Sequence, residues 1–155
     1  MPPPTPEREY FLNLLDEAYD KQAWHGPNLR GSLRGVGPVL AAWRPAAARH
    51  NIWELVVHAA YWKYVVRRRI TGEKRGSFPL EGSDWILRPQ AETEEAWKAD
   101  LAILATEHRL LRETVRTLPP LAFTGKAART IQGAAMHDVY HAGQITLLKR
   151  LAPRD

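Results

Sequence analysis

The segment His137-Asp138-Val139-Tyr140-His141-Ala142-Gly143-Gln144 sets two imidazoles four residues apart. On a helix they lie one above the other, a spacing that suits two ligands of one metal ion. Zinc and its neighbours usually take at least one more side chain. The segment Asn51-Ile52-Trp53-Glu54-Leu55-Val56-Val57-His58 offers His58 as that third ligand. Three neutral imidazoles would leave a divalent ion with open positions for water or substrate, the catalytic rather than the structural pattern. Such an ion lowers the pKa of bound water towards ~7, or holds a thiol as thiolate. The chain has no cysteine, which excludes disulfides, cysteine ligands and a protein thiol nucleophile, so any thiol must come from a small molecule. Spacing alone leaves the alternative open that these histidines are hydrogen-bonded in the core or lie on a polar face.

The elements that must position these rings follow from periodicity and breakers. A first helix is expected from about Pro6 to Tyr19, broken near Trp24-His25-Gly26-Pro27, with a short helix from Pro27 to about Arg34 because proline suits a first turn. Gly35, Gly37 and Pro38 interrupt it. A second long helix begins at Asn51, where Asn51 and Glu54 match a capping box, and stops near Gly72. Its stripe is Leu55, His58, Trp62 and Val65. Residues 73–90 read as a long loop. A third helix runs from about Ala91 to Leu118 on the seam Trp97, Leu101, Leu104, His108, Leu111, Val115 and Leu118, ended by Pro119-Pro120. A fourth runs from about Thr130 to Leu151 with the stripe Ala134, His137, His141, Gln144, Leu148 and Leu151. Burying its polar members without partners would cost about 1–3 kcal/mol each, and a metal would partner two of them. Asp138 and Tyr140 point off this stripe. Glu54 is read as a cap rather than a carboxylate orienting His58. His108 is expected in the core or at its rim, His25 as structural or at a pocket rim, and His50 in solvent. Gln144 either donates to a bound water or substrate, or ties its helix to a neighbour.

No strand pattern or internal repeat stands out, so four long amphipathic helices imply an all-α four-helix bundle. The loop of about 18 residues is long enough to travel back along the bundle, giving up-down-down-up topology in one domain over residues 1–155. No apolar stretch reaches ~18 residues, and the proline-rich start lacks signal-peptide character, so the expected location is the cytoplasm. Net charge is +5. The cluster Arg67-Arg68-Arg69 with Lys63, Lys74 and Arg75 is read as cations at a helix C-terminus rather than a nucleic-acid surface, since no nucleic-acid motif accompanies it.

Taken together, Trp24-His25-Gly26-Pro27, His50-Asn51-Ile52-Trp53-Glu54-Leu55-Val56-Val57-His58 and His137-Asp138-Val139-Tyr140-His141-Ala142-Gly143-Gln144-Ile145 resemble the DinB family of damage-inducible proteins, in the DinB/YfiT-like superfamily. The resemblance spans nearly the whole chain, though residues 73–128 match mainly in layout. It implies an up-down-down-up bundle with a divalent ion held by one histidine of the second helix and two of the fourth, here His58, His137 and His141. It implies a homodimer, and among characterised relatives, thiol-dependent S-transferases and a thiol-dependent isomerase.

Two classes of function follow. The first is a metal-dependent transferase that joins a low-molecular-weight thiol such as bacillithiol, mycothiol or glutathione to an electrophilic small molecule, with a metal-dependent hydrolase as a close variant. No convincing general base separates the two, and no catalytic side chain is assigned. Trp24, His25, Trp62, Trp85 and Gln144 are the pocket candidates. Zinc or nickel leads as the metal, with iron or copper also suited to three imidazoles. The second class is a non-enzymatic, metal-stabilised binding module in a stress response, touching DNA through Arg67 to Arg69. The first reading has a small-molecule substrate and neither nucleic acid nor membrane as partner.

Overall fold

A computed structural model describes residues 3–153. Met1 and Pro2 of the proline-rich start lie outside the described residues. Six α-helices follow in order: α1 (Pro6–Tyr19), α2 (Leu29–Ser32), α3 (Pro38–Ala42), α4 (Ile52–Thr71), α5 (Glu94–Thr117) and α6 (Gly125–Leu151), with a 3-10 turn at Pro120–Phe123. No strand occurs among the described residues.

Local chemistry sets the boundaries. Thr5 accepts from the Arg8 amide, with Pro6 in the first turn of α1. Asn51 Oδ1 accepts from the Glu54 amide at 2.7 Å. Gly72, at φ 75°, closes α4 in the left-handed region where glycine has no Cβ penalty. Several limits differ from those expected. The short helix begins at Leu29, not Pro27, because Asn28 caps it. Pro38 starts α3 instead of only ending what precedes it, since proline is tolerated at N1. Thr93 caps α5, so it begins at Glu94 rather than Ala91. The last helix begins at Gly125, five residues before Thr130, directly after the 3-10 turn.

The four long helices pack pairwise, α4 on α5 and α6, and α1 on α5 and α6. From Ile52 to Ala60 every residue of α4 is buried, as expected of a helix covered on all sides. One apolar cluster gathers Trp53, Val56, Trp97, Leu104 and Ile145. The other gathers Phe11, Leu15, Val66, Leu111, Val115 and Ile131. Along α4, α5 and α6 a polar layer falls between them. Lys63 Nζ donates to the Asp138 carboxylate, and Lys63 lies 5.2 Å from the Tyr19 ring centroid. Tyr19 in turn stacks on His108 at 3.7 Å.

This layer corrects two sequence expectations. Asp138 does not point away from the core; it is fully buried. Lys63 is not part of a solvated basic face, being 2% exposed and paired with Asp138. Arg67 is also withdrawn from that face by Glu73 and Glu107. His108 is buried as expected.

The connection between α4 and α5 is tied down near its end. Arg88 donates from Nε to Asp100 at 2.7 Å, and the same Asp100 Oδ2 accepts from Trp53 Nε1 at 2.6 Å. The Arg88 carbonyl accepts from Asn51 Nδ2 at 2.9 Å. These bonds hold Asp84 and Trp85, a few residues earlier, against α4.

Candidate metal centre

His58 on α4 and His137 and His141 on α6 meet. His58 Nε2 is 3.1 Å from His137 Nε2, which is 2.9 Å from His141 Nε2. The other ring nitrogens explain this orientation. His58 Nδ1 donates to the Asp84 carbonyl at 3.1 Å, with the Asp84 carboxylate 3.2 Å away. His141 Nδ1 donates to Gln144 Oε1 at 2.6 Å. Carbonyl and amide oxygens only accept, so both rings carry hydrogen on Nδ1 and, when neutral, a lone pair on Nε2.

Burial disfavours the charged form of all three rings. Burial pushes His58 below the ordinary histidine value, against the opposing pull of Asp84. Burial, then the neighbouring His141 and His58, lower His137 to about 3. Burial also lowers His141 to about 4, although its bond to Gln144 acts the other way. Two Nε2 lone pairs therefore face His137 Nε2 at contact distance. A proton on His137 Nε2 can satisfy one of these two contacts; a cation would accept all three nitrogen lone pairs. Nitrogens about 2.0–2.1 Å from a tetrahedral ion stand about 3.3 Å apart, close to the spacing seen here. The three histidines could thus hold a metal ion, and they fit one that accepts neutral imidazole.

The surroundings shield one side. Trp85 is sandwiched between His50 and His58, at 3.6 and 3.7 Å with rings within 6° of parallel. Trp62 donates from Nε1 to Asp84 Oδ1 at 2.8 Å and lies 6.3 Å from the His137 ring. Asp84 adopts φ 58°, a left-handed conformation that aspartate tolerates better than most residues. That turn presents its carbonyl and carboxylate to neighbouring rings at once.

The DinB superfamily model matches residues 13–145, most of the chain. The chain belongs to the DinB superfamily. No curated protein and no solved structure matches it.

Within this DinB chain, Trp62, Trp85 and Gln144 all lie against the trio. The structure does not bring Trp24 or His25 into contact with it. Trp24 is fully exposed in the turn between α1 and α2, and His25 beside it is exposed as well. Glu54 does not complete the capping box, nor does it orient His58. Its carboxylate is held by Arg44, at 2.5 and 2.8 Å, and by His50 at 3.0 Å. Asp84 takes the orienting role instead. Sequence reading missed it because nothing in its spacing ties it to His58; the one local signal is the turn Gly82-Ser83-Asp84. His50 is partly exposed as expected, yet it stacks on Trp85. Among the described residues, no helix is long and apolar enough to cross a membrane.

Proposed function

We propose that this DinB protein is a metal-dependent enzyme that uses His58, His137 and His141 to hold one divalent ion and joins a low-molecular-weight thiol to an electrophile. The observation that carries this reading is the convergence of three Nε2 atoms, two of their rings fixed by Nδ1–H bonds to Gln144 and Asp84. When bound, an ion there would supply the charge that keeps a small thiol deprotonated near neutral pH. The chain's own part is positional. Gln144 and Asp84 fix the rings, Trp85 covers His58, and Trp62 forms a wall beside His137. In the transfer the thiol proton goes to solvent, a sulfur–carbon bond forms, and the leaving group departs with its bonding electrons.

The helix order up-down-down-up belongs to the same proposal. Contacts at successive heights support it. Asp16 and Tyr19 of α1 meet Arg112 and His108 of α5, an antiparallel pairing. Trp53 and Arg67 of α4 meet Asp100 and Glu107 of α5, a parallel pairing.

Metal analysis of protein purified without a nickel column, with a thiol panel and 1-chloro-2,4-dinitrobenzene, tests the reading. We expect about one divalent ion per chain, lost in His137→Ala together with thiol-dependent release of chloride. Wild-type protein that binds no divalent ion at neutral pH would overturn it. Metal-dependent turnover of esters without any thiol requirement would replace transfer by hydrolysis.

A further inference from the structure

Two cavities open side by side along the seam between α4 and α6. The inner one, of about 360 Å³, reaches His137 and has Trp62, Val66, Gly133 and Ala134 in its wall. The outer one, of about 470 Å³, includes Ile70 and Ala127. Both include Arg69, Lys126 and Thr130, so together they make one groove leading away from the metal ligands. The inner volume is that of a small-molecule site.

The charge along this groove is one-sided. Arg69, Lys126 and Arg129 stand at its rim, and no Asp or Glu lines either cavity. Among the described residues, no carboxylate forms an ion pair with any of these three, whereas Lys63 is paired with Asp138 and Arg67 with Glu73. Arg69 is also positioned: its guanidinium carbon sits 5.5 Å from the Trp62 ring centroid, over the same ring that lies 6.3 Å from His137. On α6, Arg129, Gly133 and His137 follow at four-residue steps on one face, so about 12 Å of helix separates the outer two. Gly133 keeps the floor open, since a Cβ there would meet nothing within 4 Å. A larger cavity near Tyr19 and Arg30 contains Asp20 beside its arginines and touches none of the three histidines.

We infer that the groove selects electrophiles with an apolar body and an anionic end, a carboxylate or a phosphate monoester. The body lies on Trp62 and over Gly133, the anion between Arg69 and Arg129, and the reacting carbon beside His137. Guanidinium groups suit this task because they bind carboxylate and phosphate in a two-pronged manner. This inference rests on the proposed transferase reading for the position of the reacting carbon, but the recognition itself does not depend on chemistry.

Calorimetric binding to the metal-free chain tests recognition separately. The probes are 4-phenylbutyrate, phenyl phosphate and the neutral 4-phenylbutanol. At low salt at least one of the two anions is expected to bind about tenfold or more tightly than the alcohol, and which of them does identifies the anion. That preference is expected to vanish in Arg69→Ala/Arg129→Ala. Gly133→Leu is expected to abolish binding of every probe. Metal content should be unchanged in both variants, and both should unfold cooperatively. A parallel assay compares 4-chloro-3,5-dinitrobenzoate with neutral 1-chloro-2,4-dinitrobenzene. A lower KM for the benzoate, removed by the arginine double variant, is the expected result. Equal binding of anions and alcohol, or anion binding that survives both variants, would overturn the inference. So would a change in oligomeric state on Gly133→Leu, which would make the groove a contact between two copies. If neither electrophile reacts, the transferase reading fails, while the calorimetry still decides the groove.

Discussion

Gln144 and Asp84 decide which nitrogen of two imidazoles faces the site, and so determine whether the trio can act as a ligand set. Gln144 offers an amide oxygen to His141 Nδ1 at 2.6 Å. Partners that orient a metal-bound histidine typically contribute 10–100-fold to metal affinity, so Gln144→Ala should weaken binding by about that factor. Gln144→Glu keeps an acceptor and should retain affinity; competition with a chromophoric chelator measures both. Asp84 separates two contributions. Asp84→Gly preserves the left-handed turn and its carbonyl while deleting the carboxylate. We expect it to weaken metal binding less than Gln144→Ala and to release Trp62, read as a red shift in tryptophan emission. An Asp84→Gly loss equal to that of Gln144→Ala would assign the carboxylate, not the carbonyl, as the main support of His58.

At the scale of the element, α4 and α6 are joined by both the histidines and the Lys63–Asp138 pair one step further along the seam. Both partners of that pair are nearly fully buried, at 2% and 0% exposure. Burial pushes the Asp138 carboxyl up while Lys63 draws it back down. A buried pair stripped of one member leaves an uncompensated charge, which costs about 3–5 kcal/mol. Lys63→Met should therefore destabilise the protein by about that amount in urea unfolding. Lys63→Met/Asp138→Leu should recover most of the loss, because apolar replacement of both partners removes the desolvation penalty as well. A double variant as unstable as the single one would show that the pair does more than compensate its own burial.

For the whole molecule, buried neutral histidines link stability to pH. His108 is lowered to about 2 by burial, then by Lys63 and Arg112. Its Nδ1 has no hydrogen-bond partner among the described residues. In the unfolded chain a histidine titrates near 6.5. Above that value both states bind no proton and stability is unaffected. As pH falls below 6.5 the unfolded state takes up a proton that the folded state refuses, so stability is progressively lost down to about 2. The slope is about 1.4 kcal/mol per pH unit for one such group. Urea unfolding at pH 7, 6 and 5 should show His108→Phe losing less stability on acidification by about that slope, with the ring's stack on Tyr19 preserved. A slope identical to wild type would place the acid sensitivity elsewhere, in His137 and His141.

Much of this was legible in the order of residues, because helices are local objects. Asn51 and Gly72 bracket α4 through cap chemistry that needs only near neighbours. The four-residue step from His137 to His141 sets two rings on one face whatever surrounds them. Ile131, Ala135, Asp138, Ala142 and Ile145 recur at three- to four-residue steps and all prove buried on α6, so Asp138 falls on a core face beside the histidine stripe. Pairing across the molecule was not legible. Whether Lys63 faces solvent or Asp138, whether Glu54 serves a cap or Arg44, and whether a loop aspartate reaches His58 depend on what packs opposite. So does the groove, whose three cations lie on two helices and share a rim only after α4 meets α6. Propensity and capping energies act within a few residues of sequence. Desolvation and charge pairing are decided by neighbours in space, and those neighbours exist only once the helices have docked.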